Sequence, residues 1–97
     1  MDEKVSIIIP VYNEKKTIIQ VINRVEELKI NKEIVVVDDG SNDSTQCLLI
    51  NEMAKKPEGS IKLVFNNNNR GKGYSLRQGF INSTGEIIVI QDADLEY

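Results

Sequence analysis

Glu33-Ile34-Val35-Val36-Val37-Asp38-Asp39-Gly40-Ser41-Asn42-Asp43-Ser44-Thr45 holds a strand, a turn and the start of a helix in one continuous stretch. The run from Ile34 to Asp38 reads as a strand, and Asp39-Gly40-Ser41-Asn42 is a dense turn signal. A helix is expected from near Asp43-Ser44-Thr45, carrying Leu48, Leu49 and Met53 and stopping before Pro57-Glu58-Gly59. Strand-like runs recur on either side. Val5-Ser6-Ile7-Ile8-Ile9-Pro10 is closed by a proline that cannot donate to a ladder. Ile61-Lys62-Leu63-Val64-Phe65 runs into Asn66-Asn67-Asn68-Asn69. The apolar content of Ile87-Ile88-Val89-Ile90 predicts a strand covered on both faces.

Helical periodicity fills the gaps. Ile18, Val21, Ile22, Val25 and Leu28 repeat at spacings of three and four, giving one apolar stripe, with Asn13 or Thr17 available to cap its start. A third helix is expected from about Gly73 to Ser83, with Leu76 and Phe80 facing the sheet and Gly85 ending it. Its internal glycines, Gly73 and Gly79, weaken that expectation, because glycine is a poor helix former. The β-α-β-α-β-α-β alternation predicts a three-layer α/β/α fold with a mostly parallel sheet of about four strands and right-handed crossovers. The turns after each strand then share one rim, the edge where open α/β sheets bind ligands. That rim collects Pro10 to Glu14, Asp38 to Ser41, Asn66 to Lys72 and Asp92 to Asp94.

Composition narrows the chemistry. Ninety-seven residues make one small domain with a single core. A net charge of −3, with 12 basic residues that form no long block, argues against nucleic acid as a partner. No apolar run reaches the length of a bilayer span, and Met1-Asp2-Glu3-Lys4 lacks the form of a signal peptide, so a cytoplasmic location is expected. Cys47 is alone, which excludes an internal disulfide framework, and it is expected to pack in the core together with Met53. There is no histidine, so the usual general base and commonest metal ligand are absent.

The rim residues carry both structural and functional readings. Asp38-Asp39-Gly40-Ser41 is an ordinary turn if the acids bond locally and Gly40 takes a positive φ. Two adjacent carboxylates also repel unless a donor-rich ligand or a cation compensates them, and such an acid can accept from a base N–H or a ribose hydroxyl. In Pro10-Val11-Tyr12-Asn13-Glu14, Asn13 and Glu14 suit a helix entry, whereas Tyr12 offers a flat surface for a base and Glu14 an acceptor for sugar hydroxyls. Asn69-Arg70-Gly71-Lys72-Gly73 combines glycines, cations and a following helix, as a phosphate loop does, yet fits neither the dinucleotide nor the Walker pattern. Asp92-Ala93-Asp94 puts two hard oxygen ligands at a strand end, suited to Mg²⁺ or Mn²⁺ sharing diphosphate oxygens. Such an ion offsets the charge that builds on a nucleoside-diphosphate leaving group.

Taken in order, Val5 to Glu14, Glu33 to Thr45, Asn69 to Gly73 and Gln91 to Asp94 resemble the family 2 inverting glycosyltransferases, which use the GT-A fold. Arg70-Gly71-Lys72-Gly73 and Asp92-Ala93-Asp94-Leu95-Glu96-Tyr97 look most like enzymes that load a sugar onto a polyprenyl or dolichyl phosphate. The resemblance implies a Rossmann-like half of that fold, with a UDP- or GDP-sugar as donor and Mg²⁺ or Mn²⁺ as cofactor. It implies that Pro10, Tyr12 and Glu14 line the nucleoside pocket, with Asp39 on the base and Asp38 supporting it. Arg70 or Lys72 would lie near the base or diphosphate, Asp92 would face the ribose or donor sugar, and Asp94 would bind the metal, with Asp92 beside it.

The family's general base lies in a C-terminal half that this sequence does not contain, so the catalytic residue is unassigned. The chain is then expected to be the donor-binding part of a longer enzyme at the cytoplasmic face of a membrane. It should bind better than it catalyses. Self-association through an exposed sheet edge is a further expectation. The alternatives are a non-catalytic nucleotide-binding fragment and a receiver-like signalling domain, though the latter wants its acid pair after the first strand, where Pro10-Val11-Tyr12 stands.

Overall fold

The computed structural model describes residues 3–94. Met1-Asp2 and the Leu95-Glu96-Tyr97 part of the resemblance lie outside the described residues. The elements run β1 (Val5–Val11), α1 (Ile18–Glu26), β2 (Lys32–Asp38), α2 (Thr45–Met53), β3 (Ile61–Phe65), α3 (Lys72–Ile81) and β4 (Ile87–Ile90). The strands form one parallel sheet in the order β3-β2-β1-β4. The chain therefore steps from β1 to β3 in one direction and then returns past β1 to place β4.

Helix placement follows from that reversal. Ile7, Ile9 and Val11 of β1 pack with Ile34 and Val36 of β2 against Ile18, Val21, Ile22 and Val25 of α1 and Leu49 of α2. Ile8, Val35 and Val37 point the other way, onto Leu76 of α3. Reversing direction while changing face keeps all three crossovers the same hand, as parallel sheets require. The two central strands are covered on both sides, and each fully buried Ile or Val there stabilises the fold by about 2 kcal/mol.

Pro10 does not end β1, which continues to Val11 with Pro10 opposite Val37. Ile8 accepts from the Gln91 N–H and Val11 from the Asp39 N–H, so even-numbered residues of β1 face β4 and odd-numbered ones face β2. Pairing with β4 stops at Ile8, so the missing N–H of Pro10 falls where no ladder needs it.

Several expectations need correction. Among the described residues β4 lies at the edge of the sheet and is not covered on both faces: Ile87, Val89 and Ile90 are each more than two-fifths exposed. Leu28 lies past the end of α1 and is exposed, and α1 starts after Thr17, whose side chain makes no capping bond. Cys47 is exposed on α2, whereas Met53 does pack against the core. Phe80 points to solvent, 63% exposed, and Gly79 takes its place against the sheet.

The Gly79 contact explains why α3 tolerates a poor helix former. A Cβ there would lie 2.5 Å from Ile8 Cγ2, inside the fully buried core. Gly79→Ala is accordingly expected to destabilise the chain by about 1–2 kcal/mol, despite alanine's better helix propensity of about 1 kcal/mol. Urea unfolding measures this, and an unchanged or higher midpoint would show that α3 can lift from β1 at no cost.

Candidate nucleotide and metal site at the carboxyl edge of the sheet

The predicted rim closes around a cavity of about 370 Å³. Pro10 enters it from the end of β1, Tyr12 and Glu14 from the β1–α1 turn, Asp39 from β2–α2, Lys72 from the start of α3, and Asp92 and Asp94 from beyond β4. Seven of the nine candidate residues thus meet in one place. Asp38 and Arg70 do not line it. Val11, Asn69, Gly71, Ser75 and Ala93 complete the wall.

The adjacent acids Asp38 and Asp39 escape mutual repulsion by bonding to separate donor sets, and protein groups, not a ligand, supply the donors. Asp38 is fully buried, and its Oδ1 accepts from Ser41 Oγ at 2.5 Å. Its Oδ2 accepts from the Ser41 N–H at 3.1 Å and from Gln46 Nε2 at 2.7 Å. Asp38 therefore fixes the turn beneath the cavity, the supporting role expected of it. Asp39 Oδ1 accepts from Asn66 Nδ2 at 2.9 Å and from the Arg70 N–H at 2.8 Å, while Oδ2 accepts from the Gly71 N–H at 2.9 Å. Burial acts to raise the Asp39 pKa, but the donors from Arg70, Asn66, Gly71 and Ser75 outweigh it and hold the carboxyl below its usual range. Four donors thus converge on a carboxylate that also borders the cavity.

Gly40 lets these turns approach. Its φ is +72°, and a Cβ would sit 2.6 Å from the backbone of Asn68 and Asn69. Asn13, itself at φ 53°, ties the first turn to the second. Its N–H donates to Ser41 Oγ at 2.9 Å, and its Oδ1 accepts from the Asn42 N–H at 2.9 Å. Asn13 is thus a cross-loop clamp and not a helix cap.

The acidic turn after β4 is anchored from α1. Thr17 Oγ1 donates to the Ala93 carbonyl at 2.7 Å, and Ala93 is buried in the core between the two acids. Lys72 Nζ pairs with Asp92 Oδ1 at 2.8 Å across the cavity mouth. Arg70 instead lays its guanidinium over the Tyr74 ring, 5.5 Å from the centroid, so Lys72 is the cation that faces the cavity.

Sequence reading offered Thr17 as a helix cap and placed Asn66 on the rim without giving either its role here, and it missed Ser75. Asn66 and Ser75 are buried and hydrogen-bonded at 3.0 Å, and a polar residue directly after a strand or within the first turn of a helix was the available signal. Among the described residues no group of three or more His, Cys, Asp or Glu could hold a metal ion. The protein's hard-oxygen donors at the cavity are few, a set that suits Mg²⁺ or Mn²⁺ with a ligand's phosphates completing the shell. No described helix is long and apolar enough to cross a membrane.

The model of the family described as glycosyl transferase family 2 matches residues 6–97. The chain belongs to glycosyl transferase family 2. It is 40% identical over 97 residues to an undecaprenyl-phosphate 4-deoxy-4-formamido-L-arabinose transferase of Enterobacter sp. (strain 638), covering 96% of this chain and 29% of that protein. A dolichyl-phosphate beta-glucosyltransferase of Dictyostelium discoideum is 36% identical over 98 residues, covering 92% of this chain and 30% of that one. The chain spans about 30% of the length of the curated relatives it matches.

Among solved structures, a mannosyltransferase from Pyrobaculum calidifontis in complex with GDP-Man and Mn²⁺ superposes with a TM-score of 0.89 and 33% identity, over 97% of this chain and 28% of that one. Glucosyl-3-phosphoglycerate synthase from Mycobacterium tuberculosis, in complex with Mn²⁺, UDP and glucosyl-3-phosphoglycerate, superposes with a TM-score of 0.75 and 26% identity, over 97% and 34%. The parallel sheet with helices on both faces is the Rossmann-like half of the GT-A fold. Family 2 membership leaves no place for a receiver-like module, whose acid pair would in any case belong after β1 rather than β2.

Proposed function

We propose that this family 2 chain is the donor-binding part of a glycosyltransferase that passes a sugar from a UDP- or GDP-sugar to a polyprenyl phosphate. The observation that carries the reading is the convergence of Tyr12, Glu14, Asp39, Lys72, Asp92 and Asp94 on one cavity at the carboxyl edge of the sheet. Tyr12, 39% exposed, offers its ring to the base, with the Asp39 carboxylate beside it on the cavity wall. Glu14 faces the sugar hydroxyls. Lys72 and the N-terminal end of α3 attract the diphosphate. Asp92 and Asp94 would hold a divalent cation, which when bound neutralises charge on the departing diphosphate. The acceptor class is supported by the names of the relatives, which are undecaprenyl- and dolichyl-phosphate transferases. Such an acceptor is presented at a membrane surface, and we assign the parent enzyme to the cytoplasmic face. No cavity residue is assigned the general base that an inverting transfer needs on the acceptor side.

Calorimetric titration with UDP and GDP, with and without Mn²⁺, tests the donor site. Binding at least tenfold tighter with Mn²⁺ is expected, equivalent to about 1.4 kcal/mol. Asp94→Ala is expected to remove that metal dependence while leaving the circular dichroism spectrum unchanged. Failure of both nucleotides to bind the folded chain would overturn the reading.

A further inference from the structure

Lys72 is the first residue of α3, and Asp92 lies beyond β4, so their 2.8 Å ion pair joins the two sides of the point where the sheet reverses direction. The pair spans the mouth of the cavity that both residues line. We propose that it is a latch built for exchange: Asp92 passes from Lys72 to an incoming divalent cation, and Lys72 passes from Asp92 to the diphosphate. This rests on the donor-site reading and adds an order of events to it.

Several observations carry the exchange. The Lys72 and Asp92 side chains are 61% and 58% exposed, and an ion pair so open to water is weak enough to break on ligand entry. Lys72 also stands where a cation is poorly placed in the absence of an anion. It opens a helix whose first turn holds no acid and whose N-cap, Gly71, offers no side chain. The positive end of the helix, where Asp39 takes the Gly71 N–H, lies beside the ammonium group, and Asp92 gives that ammonium its own counter-charge until a phosphate group can do so better.

Asp92 Oδ1 is meanwhile occupied by Lys72, so a cation arriving alone must compete with an ammonium group for this carboxylate. A nucleotide arriving alone must likewise take Lys72 from Asp92. When both arrive, the pair is broken once for two ligands. The latch therefore makes metal and nucleotide binding cooperative, each raising the affinity of the other by the same factor.

Two variants and one rescue test this by calorimetry on the whole chain. Lys72→Met is expected to bind Mn²⁺ alone about 3- to 5-fold more tightly than the wild type, because Asp92 is released. Its affinity for UDP or GDP with Mn²⁺ is expected to fall about tenfold, through the lost diphosphate contact. Asp92→Asn is expected to bind UDP or GDP more tightly than the wild type when no metal is present, because Lys72 is released. Lys72→Arg, which keeps the pair, is expected to restore wild-type Mn²⁺ affinity. Both positions are exposed, so the folded state should survive each change, as circular dichroism would verify. Wild-type nucleotide binding with no gain in metal affinity for Lys72→Met, or no metal-free gain for Asp92→Asn, overturns the latch and leaves the donor site standing. Failure of the wild type to bind any nucleotide removes both.

Discussion

Asp39→Ala is expected to abolish nucleotide binding and to lower folding stability by about 3 kcal/mol, the scale for removing a buried charged acceptor from its donors. The substitution strands Asn66 Nδ2 and the N–H groups of Arg70 and Gly71, which now share one carboxylate. Those groups hold the turn that leads into α3, from which Asn69 and Gly71 line the cavity, so the cavity loses its shape together with its acceptor. Asp39→Asn should recover part of the stability but not the wild-type loop, because one side-chain oxygen becomes an amino group that faces a donor.

The same network makes Asp39 acid-sensitive. Its folded-state pKa lies below the unfolded value of 3.8, so its stabilisation is complete above that value and fades as pH falls through the lower one. Urea unfolding paired with UDP and GDP titration measures both effects. An Asp39→Ala protein of wild-type stability and affinity would refute this account.

The second large effect lies at the opposite edge of the sheet. Glu33 accepts from Ser6 Oγ, the Thr84 N–H, the Gly85 N–H and Lys62 Nζ, stitching β1, β2, β3 and the turn before β4 together. Burial raises its pKa, but these donors prevail and bring it down to about 2 from 4.5. That drop of roughly 2.5 units corresponds to about 3 kcal/mol of stabilisation, at 1.36 kcal/mol per unit. Because the folded-state value is the lower one, the contribution is complete above pH 4.5 and is lost as pH falls towards 2. Glu33→Ala is expected to cost at least this much at pH 7 and to flatten the acid limb of the stability profile. Nucleotide affinity of the folded protein should be unchanged, since Glu33 does not line the cavity. Persistence of the full acid loss in Glu33→Ala would assign it to other carboxylates.

The strand runs and the α1 stripe were legible because their periodicity is strong, and the rim followed because parallel strands place their carboxyl ends together. What escaped depended on three-dimensional neighbours. Phe80 and Gly79 differ by one helical position, and only the proximity of Ile8 decides that the glycine faces inward. Ile87, Val89 and Ile90 are as apolar as the residues of β2, but composition does not tell an edge strand from a central one. Asp39 was recognisable as a rim acid. Its hold on the Arg70–Gly71 backbone was not, because main-chain donors carry no sequence signature. Lys72 and Arg70 looked alike, and the Tyr74 ring that draws Arg70 aside separates them.

The pairing of β4 bears on the dynamics of the metal corner. Among the described residues this four-residue strand is held by β1 alone, so local opening of β4 breaks few hydrogen bonds and exposes little additional apolar surface. Asp92 and Asp94 thus follow a strand that can open while the β1–β2 centre stays intact, with the Thr17–Ala93 bond as the anchor of their turn. A ligand that grips them stabilises the closed form in proportion to its occupancy, so amide protection along Ile87–Ile90 becomes a gauge of cation and nucleotide concentration.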